Sequence, residues 1–237
     1  MSHHVHPYAH RLGTLRDWKS RWFADNGQYQ EYLKGDTMLR GYLEKRLRGM
    51  HVADVEMERN DKMWKVVVKS ARPGLIIGRS GEGAVKLKND VMSRLARWKI
   101  KTPKEFRIEV EEVRNPESNA PIVGQMVAEG LEKRMPFKRV MKQMLEKVMA
   151  NRDVKGARIE VSGRLGGADM SRKEHVKAGN IPLQTIRADV DFAREKAYLP
   201  YGVIGIQVWI YKGEVFAEKA KTTKETPRTI APHVARA

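Results

Sequence analysis

The sequence predicts an α+β protein of two domains, and three observations carry that expectation. Helix-spaced and alternating apolar runs follow one another in the order α-β-β-α-α-β over residues 36–114. A glycine-rich tetrad interrupts that order between its second strand and its last helix. After a break bearing two prolines, two helical stripes precede a series of strand-like runs, the pattern of helices laid on one face of a sheet. The length of 237 residues suits two ordinary domains, and 41% hydrophobic residues can fill their cores.

Residues 1–35 read as an arm, with Tyr8, Trp18, Trp22, Phe23, Tyr29 and Tyr32 set among Arg11, Arg16, Lys19 and Arg21. Asp36 suits an N-cap, since Met38, Leu39, Tyr42, Leu43 and Leu47 then recur at helical spacing until Gly49. Residues 52–59 and 63–70 alternate as strands around a turn at Asn60 and Asp61. Val85, Leu87, Val91, Met92 and Leu95 supply a helical stripe, and 106–111 alternates as a third strand. Residues 115–121 form a linker, which bounds the first domain at 36–114 and the second at 122–216.

In the second domain a helix is expected over 122–134, and Pro136 suits the first turn of another. That second helix carries Phe137, Val140, Met141, Met144, Leu145, Val148 and Met149 as one stripe. Strands are expected at 157–162, 185–192 and 202–211, with a shorter one after Gly167, making two helices on a four-stranded sheet. Arg187, Asp189 and Asp191 should face outward, opposite Ile186, Ala188, Val190 and Phe192. From residue 217 the chain turns polar, and 217–237 is expected to be a mobile tail.

Composition narrows the function. There is no cysteine, which excludes disulfides, thiolate metal sites and thiol catalysis. No run approaches the ~18 apolar residues of a membrane span, so the expectation is a soluble intracellular protein without membrane contact. Lys plus Arg number 46 against 29 Asp plus Glu, a net charge of +17. The surplus is +4 over 1–50, +4 over 51–118, +6 over 119–214 and +3 over 215–237. A body that is basic throughout favours a polyanion met over several faces, and nucleic acid fits best.

Gly78, Arg79, Ser80 and Gly81 form a GXXG tetrad between the apolar Leu75, Ile76 and Ile77 and a helix. Such glycines let a sugar-phosphate backbone approach closely, and the helix start aims free N–H groups at phosphates. Within an α-β-β-α-α-β order this is the arrangement of a type II KH module, which clamps about four nucleotides of single-stranded RNA. A plain glycine turn between two helices is the alternative. No Gly-Lys-Ser/Thr follows, so a nucleotide-binding P-loop is disfavoured.

Lys138, Arg139 and Lys142 project from one helix face, opposite the stripe that begins at Phe137, and no acid lies between 133 and 142. From charge alone, an RNA contact and a solvated face remain close competitors. The segment from Gly163 to Lys173, with Arg164, Gly166, Gly167 and Arg172, fits either a phosphate contact or an ordinary hairpin. His3, His4, His6 and His10 suggest metal, yet an exposed polar arm explains them better, so no metal or other cofactor is expected. No spaced carboxylate or His–carboxylate set marks an active site, so the chain is not expected to be an enzyme.

Further landmarks run the length of the chain: Val5, His6 and Pro7 with Arg11, Leu12 and Gly13; Trp22, Phe23 and Ala24; Ala71 to Gly74; Val161 to Ala168; Arg187 to Asp191; and Tyr201 to Gly205 before Val208, Trp209 and Ile210. In these the chain resembles the bacterial small-subunit ribosomal protein S three family over about residues 5–216. The resemblance implies a structural protein in the head of the small subunit, bound to the 3′ major domain of its ribosomal RNA. It implies proteins S ten, S fourteen and S two as neighbours, and a place with S four and S five around the mRNA entrance. Family residues associated with mRNA unwinding map onto Lys138, Arg139 and Lys142, one of them Lys where the familiar bacterial pattern has Arg. Arg72, Gly74, Gly78, Arg79, Ser80 and Gly81 would form the RNA-binding KH loop, and His6, Arg11, Arg16, Trp22, Arg164, Gly166, Gly167 and Arg172 further ribosomal RNA contacts. A free KH-type RNA-binding regulator or assembly factor is the runner-up.

Overall fold

A computed structural model describes residues 5–60, 62–100 and 105–216; the expected tail at 217–237, and His3 and His4, lie outside the described residues. The first domain comprises α2 (Asn26–Arg46), β2 (Val52–Arg59), β3 (Met63–Ser70), α3 (Pro73–Ile77), α4 (Glu82–Arg97) and β4 (Glu105–Glu112), preceded by α1 (Pro7–Arg11) and β1 (Ser20–Arg21). β2 and β3 pair antiparallel, and β4 runs parallel to β3 with Val66 opposite Ile108 and Val68 opposite Val110. This is the type II KH order. Leu39, Leu43, Met57, Trp64, Val66, Val91 and Leu95 pack between helices and sheet, each fully buried. Side chains of this kind contribute about 1.5–3 kcal/mol apiece on burial, so apolar packing holds the domain.

α2 begins at Asn26, ten residues before the expected start, and Asp36 lies inside the helix. Its inward face in the first half is Tyr32, Gly35, Asp36 and Leu39. Tyr, Gly and Asp give no hydrophobic stripe, which hides the helix from a periodicity argument. The Asp36 carboxylate is buried and accepts from Trp22 Nε1 at 2.7 Å, while the Trp22 ring meets Tyr29 and Tyr32 at 5.3 and 5.6 Å.

The second domain joins through a short turn, and α5 (Ala120–Glu132) and α6 (Phe137–Met149) cover one face of an antiparallel sheet ordered β6-β5-β8-β7. Its strands are β5 (Gly156–Gly163), β6 (Arg172–Gly179), β7 (Ala188–Leu199) and β8 (Gly202–Glu214). Among the described residues no helix is long and apolar enough to cross a membrane.

β7 corrects the expected facing. The strand alternates without interruption, the one irregularity being the extra residue Lys212 of β8 opposite Asp189 and Val190, and both of its faces are covered. Ala193 and Ala197 join the core beneath the helices, whereas Ala188 and Val190 pack on the opposite face with Tyr211, Ile181, Leu183 and Trp209. Asp191, expected to face solvent, accepts from the Ala120 N–H at 2.9 Å and so caps the start of α5.

The N-terminal segment lies on the protein itself. α1 packs on β7, and β1 adds to the first sheet by pairing parallel with β2. Arg11 is 0% exposed, and its guanidinium donates to the carbonyls of Ala188, Pro7, Pro182, Leu183 and Thr185 at 2.5–3.3 Å. Arg16 pairs with Asp189 at 2.7 Å. The arm therefore straps the two domains together.

The direct seam between domains is polar. Arg48 bonds Glu132 at 2.5 Å, Gln125 donates to the Val52 carbonyl at 2.9 Å, and His51 Nε2 approaches Glu129 at 3.2 Å. Burial, with Arg72 and Lys133 adding to it, holds the His51 imidazole below its ordinary value of 6.5 despite Glu129. Such a group takes up its proton more readily after unfolding, so its contribution is complete above 6.5 and is lost as pH falls through the folded value. Thermal melts from pH 7.5 to 5.5 are expected to show a falling Tm that His51→Gln flattens.

Candidate nucleic-acid interface

α6 presents Lys138, Arg139 and Lys142 to solvent, while Val140, Met141, Met144, Leu145 and Val148 on its other side are buried. The apolar stripe fixes the rotation of the helix and hence the outward aim of the cations. Among the described residues none of the three side chains makes a hydrogen bond or ion pair, and Glu146, a turn beyond Lys142, does not reach it. Several other surface cations are matched, as in Lys19 with Asp54, Lys65 with Glu109 and Arg187 with Glu214. Lys138 and Arg139 moreover occupy the first turn of α6, which holds no acid. Cations there oppose the helix dipole and cost about 0.3–1 kcal/mol each at low ionic strength. A fold that needed only solubility would not collect charge at that end. Arg172, on β6, places its guanidinium 5.7 Å from the Phe137 ring at the start of the same helix, joining this face while paired with Glu174.

The GXXG loop forms a second exposed basic surface. α3 ends at Gly78 with φ +70°, Ser80 and Gly81 also have positive φ, and α4 starts at Glu82. Arg79 is exposed, and nothing lies within 4 Å of a side chain built at Gly74 or Gly81, so a backbone can approach there. Leu75 and Val85 flank the loop at 56% and 59% exposure, leaving an apolar strip beside it. Gly83, which the tetrad does not include, is the glycine the loop packing demands. A Cβ there would lie 2.6 and 2.8 Å from the carbonyls of Ile76 and Ile77. Gly83→Val is expected to cost about 1–3 kcal/mol, the usual range for overpacking, and to abolish RNA binding by the loop, as melts and gel shifts would show.

The remaining predicted contacts divide. His6 lies against the Phe192 ring at 4.7 Å, Arg11 and Arg16 fasten the arm, and Trp22 is bound to Asp36. These groups are engaged within the protein, contrary to the expectation of direct RNA contact for Arg11, which has no exposed surface. The arm's outward groups are instead Trp18 and Phe23, at 60% and 88% exposure. Arg164 is used within the protein, donating to the Ala168 carbonyl and Asp169 in its own loop and to the Tyr201 carbonyl in the β7–β8 turn. Gly166 and Gly167, both at positive φ, leave that loop open to close approach. Among the described residues no group of His, Asp and Glu is arranged to hold a metal.

A type II KH domain joined to a two-layer α+β domain, with unpaired cations on both, defines the class: a two-domain KH protein built to meet RNA. Residues 38–118 match the KH domain family and residues 127–210 match the family described as Ribosomal protein S3, C-terminal domain. The chain is 38% identical to the small ribosomal subunit protein uS3 of Caldicellulosiruptor bescii over 95% of its own length and 98% of the relative's. It is 39% identical to that of Ectopseudomonas mendocina over 99% of each, and 40% identical to that of Coxiella burnetii over 96% and 97%. The chain belongs to the ribosomal protein S3 family.

Proposed function

We propose that the chain is a non-enzymatic structural component of the small ribosomal subunit in the cytoplasm, held in the head on the 3′ major domain of ribosomal RNA. Its KH loop, through Arg72, Gly74 and residues 78–81, contributes to that anchorage, with Gly166, Gly167 and Arg172 as further contacts. Its neighbours are S ten, S fourteen and S two, and with S four and S five it borders the mRNA entrance. There Lys138, Arg139 and Lys142 hold phosphates of incoming messenger on separated strands, while translocation supplies the work of unwinding. Coulombic contact without base readout suits a passage that every message must traverse. The observation that carries this reading is the set of three unpaired cations of α6, two of them placed against the helix dipole.

A free KH regulator would use the same GXXG loop, and sedimentation separates the two. The ribosomal reading predicts that the chain in cell extract travels with small subunits and ribosomes in low and moderate salt. A chain found mainly in the ribosome-free fraction would favour the regulator.

A further inference from the structure

Where the KH domain meets α5 and α6 there is an open cavity of about 240 Å³, lined on its polar side by His51, Arg72, Glu129, Lys133, Gln143 and Lys147 and elsewhere by apolar groups of α5, α6 and the turn between them. At about 30 Å³ per water, that space accommodates a phosphate group with several waters. Arg72 comes from the turn after β3, Lys133 from the end of α5 and Lys147 from α6, and among the described residues none of them is paired with a carboxylate. Against these three cations stands one acid, Glu129. His51 is 1% exposed, and neither ring nitrogen has a hydrogen-bond partner; the 3.2 Å approach of Nε2 to Glu129 lacks bonding geometry. A buried ring with both nitrogens unmatched is uncommon, since buried polar groups are nearly always bonded. Its backbone is held in place as well, at φ +50° with its carbonyl accepting from the Ala71 N–H at 3.0 Å.

We propose that this junction is an oxyanion site that takes a phosphate group of an RNA strand, with Arg72, Lys133 and Lys147 supplying charge and His51 a donor at its floor. The inference rests on the RNA-binding reading given above and adds to it a place and a set of residues. RNA is favoured over a free anion because Arg72 immediately precedes α3, so a strand held on the GXXG loop lies one short helix from the cavity. A phosphate there would sit between the domains and tie the KH module to the helix that bears the gripping face. It would also offset the Arg72 and Lys133 charges that, after burial, hold His51 in its neutral form.

The test follows the His51 imidazole by NMR in the full chain, its signal assigned by its loss in His51→Gln. Titrations are run in chloride, in inorganic phosphate at matched ionic strength, and with a short single-stranded RNA, whose binding is read separately by fluorescence anisotropy. RNA is expected to raise the His51 midpoint by about one unit, as an opposite charge within ~4–6 Å does. Lys147→Gln, a change at an exposed position, is expected to reduce that rise, and Arg72→Gln with Lys133→Gln to remove it. An unchanged midpoint while anisotropy still reports RNA binding would overturn the site and leave the RNA-binding reading standing. Absence of binding by anisotropy would instead overturn that reading. A rise with inorganic phosphate but not with RNA would overturn the assignment to a strand and identify a free-anion site.

Discussion

Ribosomes carrying Lys138→Ala, Arg139→Ala and Lys142→Ala together are expected to assemble normally yet slow markedly at a stable mRNA hairpin, with unstructured messages read at the usual rate. Among the described residues the three exposed side chains make no hydrogen bond or ion pair, so their removal leaves no buried group unsatisfied. Removing two cations from the first turn of α6 should relieve about 0.3–1 kcal/mol of dipole repulsion each, so the isolated chain is expected to melt slightly higher. For a single-stranded RNA that spans this face, the log–log salt dependence of binding should flatten by about 2, from three contacts at ~0.7 counterion each. Stabilisation together with lost grip is the signature of residues kept for a ligand. Equal speed through hairpins, or loss of assembly, would refute the assigned role.

Arg11→Ala has the largest expected effect on stability. The guanidinium is enclosed and satisfies five carbonyls, four of them in or near the start of β7 and the preceding loop. Each acceptor left buried without a partner costs about 1–3 kcal/mol, so a loss on the order of 3 kcal/mol is expected even after water reaches the outer ones. Because α1 lies on β7 and β1 on β2, release of the arm would also loosen the two domains from each other. Hydrogen exchange should show early opening of residues 5–21 and of the N-terminal part of β7, ahead of the KH core. Arg11→Lys retains a charge but not the fork of donors and is expected to recover only part of the loss. An arm that stayed protected in Arg11→Ala would show that its other ties, His6 with Phe192, Arg16 with Asp189 and β1 with β2, suffice to hold it.

What could be read from the sequence follows from which residues form each buried face. The KH order was legible because β2, β3, α4 and β4 turn apolar residues inward at regular spacing. The α6 face was legible for the same reason, since its stripe is uninterrupted and its cations stand opposite. The first half of α2 was not, because it buries Tyr32, Gly35 and Asp36. The arm misled for a related reason: Arg11 and Arg16 look like free cations, and only the fold brings them to the β7 carbonyls and to Asp189. β7 misled because both of its faces are covered: Ala188 and Val190 serve the smaller cluster while Ala193 and Ala197, on the alternate face, serve the core beneath the helices. His51 carried no local signal at all, as the groups that share its cavity come from α5, α6 and the β3–α3 turn.

The central claim is that the outward face of α6 meets messenger RNA, and crosslinking tests it most directly. A photoreactive residue placed at position 142 of the full chain, in ribosomes programmed with a defined message, is expected to crosslink to mRNA downstream of the decoded codon. That crosslink should disappear when the message is truncated short of the entrance. Crosslinks from position 142 to ribosomal RNA alone, unchanged by the presence or length of the message, would contradict the account.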